Sequence, residues 1–141
     1  MGRRLVTKPL EPEVERLFGG GHYVHLTTLR EDGSPQSRPV WTVVHDGRVA
    51  FFTQPQSPKA HHLARDPCVA LSVVDHANPY VSAWVRGRVG QMIDGEAALE
   101  VIDRMAVAYT QRPFPMRSGV VYLVDAVAAG TAKLPFEHRP A

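Results

Sequence analysis

The sequence predicts a mainly β domain with short helices, its strands closed into a barrel. Three observations predict it. From Val24 the chain alternates, with Val24, Leu26 and Thr28 set against His25, Thr27 and Leu29, the period-two signature of a half-buried strand. Asp-Gly pairs at 32–33 and 46–47 separate β-forming runs, and glycine there accepts the positive φ of a tight turn. About six such runs share the chain with only two or three short helical segments, and closing a sheet of that size removes edges that would otherwise aggregate.

Taken in order, Glu11 to Phe18 reads as a helix with Pro12 in its first turn and Gly19-Gly20-Gly21 ending it. Strands are expected from His22, from Ser37 to His45, and from Val49 to Thr53, with Asp46-Gly47 joining the last two. Ser57 to Asp66 reads as a helix closed by Pro67, followed by strands from Cys68 to Asp75 and Tyr80 to Ile93. Asp94 is a candidate N-cap for a helix whose Leu99, Ile102, Ala106 and Tyr109 share one face at spacings of three and four. The loop Arg112–Pro115 leads to a final strand, Val120 to Val127. No linker divides the 141 residues, so a single domain is expected: residues 1–21 as helix and lead-in, 22–127 as barrel, 128–141 as tail.

Composition narrows the function classes. A formal charge of +2, with basic residues scattered, gives no footprint for nucleic acid. Arg3 and Arg4 are followed by no apolar stretch, and Val6 stands where a myristoylation site needs Ser or Thr. With no window apolar enough for a bilayer, a cytoplasmic protein is expected. The single cysteine, Cys68, lies in the run Val69-Ala70-Leu71 and reads as a small buried hydrophobe in a reducing compartment.

The most informative stretch is Thr53-Gln54-Pro55-Gln56-Ser57-Pro58-Lys59. Ser57 suits an N-cap and Pro58 the first helical position, but Lys59 puts a cation where the helix dipole favours an anion. A bound phosphate would reverse that conflict, gathering exposed amides, the Thr53 and Ser57 hydroxyls and Lys59 around one anion; a solvated lysine on an ordinary capped helix is the alternative. No metal is expected: His61 and His62 are adjacent on a helix and diverge, His22 and His25 fall on opposite faces of a strand, and no Cys or carboxylate stands at ligand spacing. There is no Gly-x-Ser-x-Gly elbow for a nucleophile. Trp41 and Trp84 fall in strands, where an indole packs a core or stacks on a planar ligand.

Together these pieces resemble the pyridoxamine 5'-phosphate oxidase-like superfamily of split β-barrels. The likeness is carried by Leu26-Thr27-Thr28-Leu29 with Asp32-Gly33, Pro39-Val40-Trp41, Phe51-Phe52-Thr53, Ser57-x-Lys59, Leu63, Asp66-Pro67-x-Val69-Ala70-Leu71, and Val85-Arg86-Gly87-Arg88-Val89. Asn78-Pro79-Tyr80 and the helix from Ile102-Asp103-Arg104 to Tyr109 are similar to its deazaflavin-dependent branch. The resemblance implies a homodimer with two coenzyme sites, each built from both chains. It implies a coenzyme ring along Arg38, Pro39, Val40, Trp41 and Thr42, a phosphate near Thr53, Ser57 and Lys59, a contact from His62, and Asn78, Pro79, Tyr80 and Ser82 reaching in from the other protomer. The implied coenzyme is F420, with FMN as the alternative. Pro58 departs from the Arg that many relatives place there, Val43 from the Lys of pyridoxamine oxidases, and His61-His62 from an Arg-Asn pair of the deazaflavin branch.

The implied activity is hydride transfer between reduced F420 and an unsaturated small-molecule acceptor, with no covalent side-chain chemistry. His62 and Tyr109 are the candidate proton sources by residue type. The alternatives are an FMN-dependent oxidase or reductase and a protein that binds a coenzyme without turning it over.

Overall fold

The computed structural model describes residues 7–140. The expectations placed on Arg3, Arg4 and Val6 lie outside that range. The chain runs α1 (Pro12–Gly19), β1 (Val24–Leu29), β2 (Pro35–Val40), β3 (Val43–His45), β4 (Arg48–Thr53), α2 (Pro58–Arg65), β5 (Cys68–Val74), β6 (Val81–Ile93), α3 (Gly95–Thr110) and β7 (Val120–Lys133). No described helix is long and apolar enough to cross a membrane.

The strands form one sheet in the order β2-β1-β5-β6-β7-β4-β3, every neighbouring pair antiparallel. The two ends of that order, β2 and β3, are consecutive in the chain and separated only by Trp41 and Thr42. The sheet therefore curls into a half-barrel whose opposite edges meet at one bent segment. This corrects the expectation of one strand from Ser37 to His45. Its first half pairs with β1 and its second with β4, and a straight strand could not ladder with both. The β3–β4 turn is as predicted, with Asp46 at φ 54° and Gly47 at φ 69°, the primed geometry that matches strand twist.

Two cores follow from the pleat. Inside the curl, Val14, Leu17 and Phe18 of α1 pack on Leu26, Phe51, Leu71, Val85 and Tyr122. Outside it, Ala98, Val101, Ile102 and Met105 of α3 cover Ala50, Val121 and Leu123. β4 and the first half of β7 are thus buried on both faces, while the outward face of β5 is open.

Three further details differ from expectation. Cys68 is exposed rather than buried, because β5 buries Val69, Leu71 and Val73 and turns Cys68, Ala70, Ser72 and Val74 outward. Asp94 sits at the start of α3, but its side chain makes no cap bond. The last strand continues past Val127 to Lys133, since β6 begins at Val81 and offers a pairing edge along that length.

Candidate functional site

The break between β2 and β3 places Trp41 in an open cleft of about 390 Å³, lined by Tyr23, Pro39, Val40, Trp41, Phe52, Lys59 and Phe114. Its walls are aromatic. Phe52 lies 6.3 Å from Trp41 at 55°, and Phe114 stands edge-on to Phe52 at 5.1 Å and to Trp41 at 6.2 Å. On α3, Tyr109 stacks on Trp41 at 5.3 Å and 14°. Such offset and edge-on pairs hold ring planes in fixed attitudes, which suits a cleft for a flat ligand.

Each wall is tied down by a polar contact. The Tyr109 hydroxyl donates to the His22 carbonyl and accepts from the Thr42 amide at 3.2 Å, joining α3 to the lead-in of β1 and to the β2–β3 break. Burial pushes this phenol's pKa up. Phe114 is presented by the loop after α3. Asp103 accepts from the Phe114 amide at 3.1 Å and from both terminal nitrogens of Arg117 at 3.0 and 3.2 Å. The guanidinium holds the Asp103 carboxyl below the ordinary carboxylate range. Gln54 and Ser118 close the same loop with two reciprocal bonds of 2.9 Å.

At the cleft's polar end stands the start of α2. Ser57 caps it, its Oγ accepting from the Ala60 amide at 3.1 Å and from the Thr53 hydroxyl at 2.7 Å. Both acceptor positions of Ser57 are then used, and its own O–H is left to donate outward. Pro58 has no amide proton, Ala60 is capped and His61 donates to the Ser57 carbonyl, so the Lys59 amide remains without a partner among the described residues. The first turn holds no acidic residue, and Lys59 has no carboxylate within 4.0 Å among those residues. Lys59, half-buried, lines one end of an aromatic cleft, and its free amide and the donating Ser57 hydroxyl belong to the same helix start. Those donors fit a flat ring carrying an anionic group.

The expected site residues separate into groups. Pro39, Val40, Trp41 and Lys59 line the cleft, and Thr53 and Ser57 support its polar end. Arg38 lies on the adjoining strand, exposed and bonded to the Ser37 carbonyl. The Thr42 side chain is fully buried and donates to the Phe18 carbonyl at 2.6 Å, bracing α1. His62 shares a face of α2 with Lys59 but does not line the cleft. Its Nδ1 is 2.9 Å from the Thr28 hydroxyl, and burial, followed by Arg30, Arg65 and His61, lowers its pKa. Asn78, Pro79 and Tyr80 form the β5–β6 turn, where Tyr80 packs edge-on to Phe136, and Ser82 lines a depression on the outer sheet face. Sequence reasoning misses Tyr23, Phe52 and Phe114 as site residues; an aromatic close to a glycine run or between prolines is the signal that Tyr23 and Phe114 offer, and Phe52, inside β4, offers none.

The half-barrel and cleft define a class: a split barrel with an aromatic crevice at the bend between two strands. A sequence profile described as pyridoxamine 5'-phosphate oxidase matches residues 10–130, and the chain belongs to that family. Pyridoxine/pyridoxamine 5'-phosphate oxidase of Bacteroides fragilis is 31% identical over 93 residues, which are 65% of this chain and 36% of that protein, so the match spans about a third of the curated relative. Among solved structures, an F420 reductase is 29% identical with a TM-score of 0.70, the alignment covering 86% of this chain and 98% of that one. A conserved hypothetical protein from Mycobacterium tuberculosis superimposes with a TM-score of 0.77 at 21% identity over 100% of this chain and 98% of its own, a likeness of fold.

Proposed function

We propose that the protein is an oxidoreductase that moves a hydride from reduced coenzyme F420 to an electron-poor C=C or C=N bond of a small-molecule acceptor. The observation that carries this reading is Lys59, a cation without a carboxylate partner among the described residues, at the start of a capped helix and one end of a cleft walled by aromatic rings. The similarity to an F420 reductase over nearly that protein's whole length favours the deazaflavin. The oxidase from Bacteroides fragilis favours FMN as the second reading, with the same anion-binding end and the same ring wall.

The coenzyme, when bound, supplies the hydride; the chain supplies binding, placement and exclusion of water. Lys59, the Lys59 amide and Ser57 hold the anionic group. Trp41, with Pro39 and Val40, supports the ring. Phe52 and Phe114 close the side of the cleft, narrowing water's access to the reacting atoms, which must approach to about 3–3.5 Å.

The reading includes a homodimer. His25, Ser72, Val74, Ser82 and Trp84 lie on one outward face of the sheet, with Trp84 42% and Val74 45% exposed. Tyr23 borders both that face and the cleft, so a second copy seated there would complete the cleft wall.

Fluorescence titration with F420 and with FMN tests the proposal. The wild type should bind F420 more tightly, and Lys59→Ala should weaken binding by about tenfold or more, as the loss of a charge-assisted contact requires. Indifference to both coenzymes, with sedimentation at the mass of a single chain, would sink it.

A further inference from the structure

We infer that Tyr23 is the proton donor to the reduced acceptor, an assignment that rests on the hydride-transfer reading above. Adding a hydride to one carbon of an activated C=C bond displaces an electron pair, and the product forms only when a proton meets that pair. Among the described residues, three side chains lining the cleft carry a proton on nitrogen or oxygen: Tyr23, Trp41 and Lys59. The indole N–H does not ionise in water. Lys59 stands at the anion-binding end, where a permanent positive charge is its use. The phenol of Tyr23 remains.

The two proton sources expected from sequence are placed otherwise. The Tyr109 hydroxyl is already committed to His22 and Thr42, and His62 is bonded to Thr28 outside the cleft lining. Tyr23 Oη has no hydrogen-bond partner among the described residues, and Tyr23 lines the open cleft, through which solvent can restore its proton after each turnover.

Its position is fixed by the backbone before it. Gly21 has φ +75°, and a Cβ there would come within 2.8 Å of the Ala108 carbonyl oxygen, so only glycine lets this segment run against α3. Tyr109 then holds the next carbonyl, that of His22. The Tyr23 ring stands between His76, edge-on at 6.1 Å, and Tyr109, at 6.4 Å. The titratable groups facing it are His76 on the β5–β6 turn, His22 on its own segment, Tyr109 on α3 and Lys59 across the cleft on α2.

For an α,β-unsaturated ketone the step balances as follows. The C–H bond of the reduced deazaflavin breaks, and its electron pair forms a new C–H bond at the acceptor's β-carbon. The C=C electrons move into the carbonyl to give an enolate. The Tyr23 O–H breaks and its proton neutralises the enolate, and the phenolate takes a proton from water. The deazaflavin is oxidised by two electrons and the ketone is reduced by two.

The test compares full-length wild type with Tyr23→Phe, both loaded with reduced F420, using 2-cyclohexenone and menadione as acceptors. The variant keeps the ring and loses the proton. Its affinity for F420 should stay within twofold of wild type, its thermal midpoint should be unchanged, and its turnover should fall about a hundredfold or more, the usual worth of a general acid. Turnover within threefold of wild type overturns the assignment, as does a loss of F420 affinity that accounts for the whole fall. A wild type that binds F420 yet reduces neither acceptor also overturns the donor role. A wild type that binds no coenzyme overturns the hydride reading itself.

Discussion

Replacing Tyr109 by Phe is the sharpest probe of how this cleft is held together. The substitution keeps the ring stacked on Trp41 and removes one oxygen that serves two backbone groups, the Thr42 amide and the His22 carbonyl. Thr42 is fully buried, and its side chain is committed to Phe18, so its amide has no ready substitute partner. Leaving a buried polar group unpaired costs about 1–3 kcal/mol. The His22 side of the pair is more accessible and water can replace part of that loss, so the two together come to about 2 kcal/mol. For a chain of 141 residues the unfolding entropy is about 0.3 kcal/mol per degree, which makes the expected fall in thermal midpoint about 7 °C. Urea unfolding should show a lower midpoint with an unchanged slope, because the surface exposed on unfolding is the same. The Trp41 wall should also loosen, weakening coenzyme binding several-fold. A thermal midpoint within 1 °C of wild type, measured on the apo protein, would refute the claim that this hydroxyl joins α3 to the cleft.

Two other perturbations follow from the same geometry. Gly21→Ala combines a positive φ with a carbonyl oxygen 2.8 Å from the new Cβ, and should destabilise by about 2 kcal/mol or more in denaturant unfolding; a loss below half of that would mean the lead-in segment shifts freely. His62 has its pKa lowered from 6.5, so in the descending range from there to its folded value the unfolded chain binds more protons than the folded one. Stability from this group is therefore present above about pH 6.5 and is lost as pH falls below it. His62→Gln should flatten the stability–pH curve between pH 7 and pH 5, and an unaltered slope there would remove His62 as its source.

Local chemistry explains which parts of this structure could be read from the chain. The Asp46-Gly47 turn is legible because its backbone demand, two positive φ values, is met by those two residues alone. The Ser57-Pro58-Lys59 start of α2 is legible for the same reason: cap, first-turn proline and misplaced cation lie within three positions. The break at Trp41 and Thr42 has no such local signature. Neither residue is a glycine or a proline, and both would continue a strand. What bends the chain there is the separate demand of β1 and β4 for partners, and a hydroxyl 67 positions away that takes the Thr42 amide. Cys68 failed for a related reason. In Cys-Val-Ala-Leu-Ser-Val-Val either phase is apolar enough to be buried, so the inward phase is chosen by pairing with β6 rather than by composition. Phe51 and Phe52 repeat the ambiguity: one enters the barrel interior beside Tyr122, the other enters the cleft, and adjacent identical residues cannot reveal which.

The division between legible and illegible also separates barrel from site. The barrel is made by β4 and the first half of β7, buried on both faces, and by pairings that alternate in phase along long strands. The cleft takes part of its lining from β2, β4 and α2 and the rest from three short connections: the lead-in at His22 and Tyr23, the bend at Trp41, and the loop that carries Phe114. Each is held through a side chain from elsewhere, Tyr109 holding the first two and Asp103 the third, and both of those residues belong to α3. α3 thus has two duties on one helix. Its apolar face covers β4 and β7, and its polar contacts position segments that have no regular structure to position them. A site assembled this way can change its lining by substitutions in loops while the helix and sheet stay fixed, so one barrel can vary what it admits beside the same helix start.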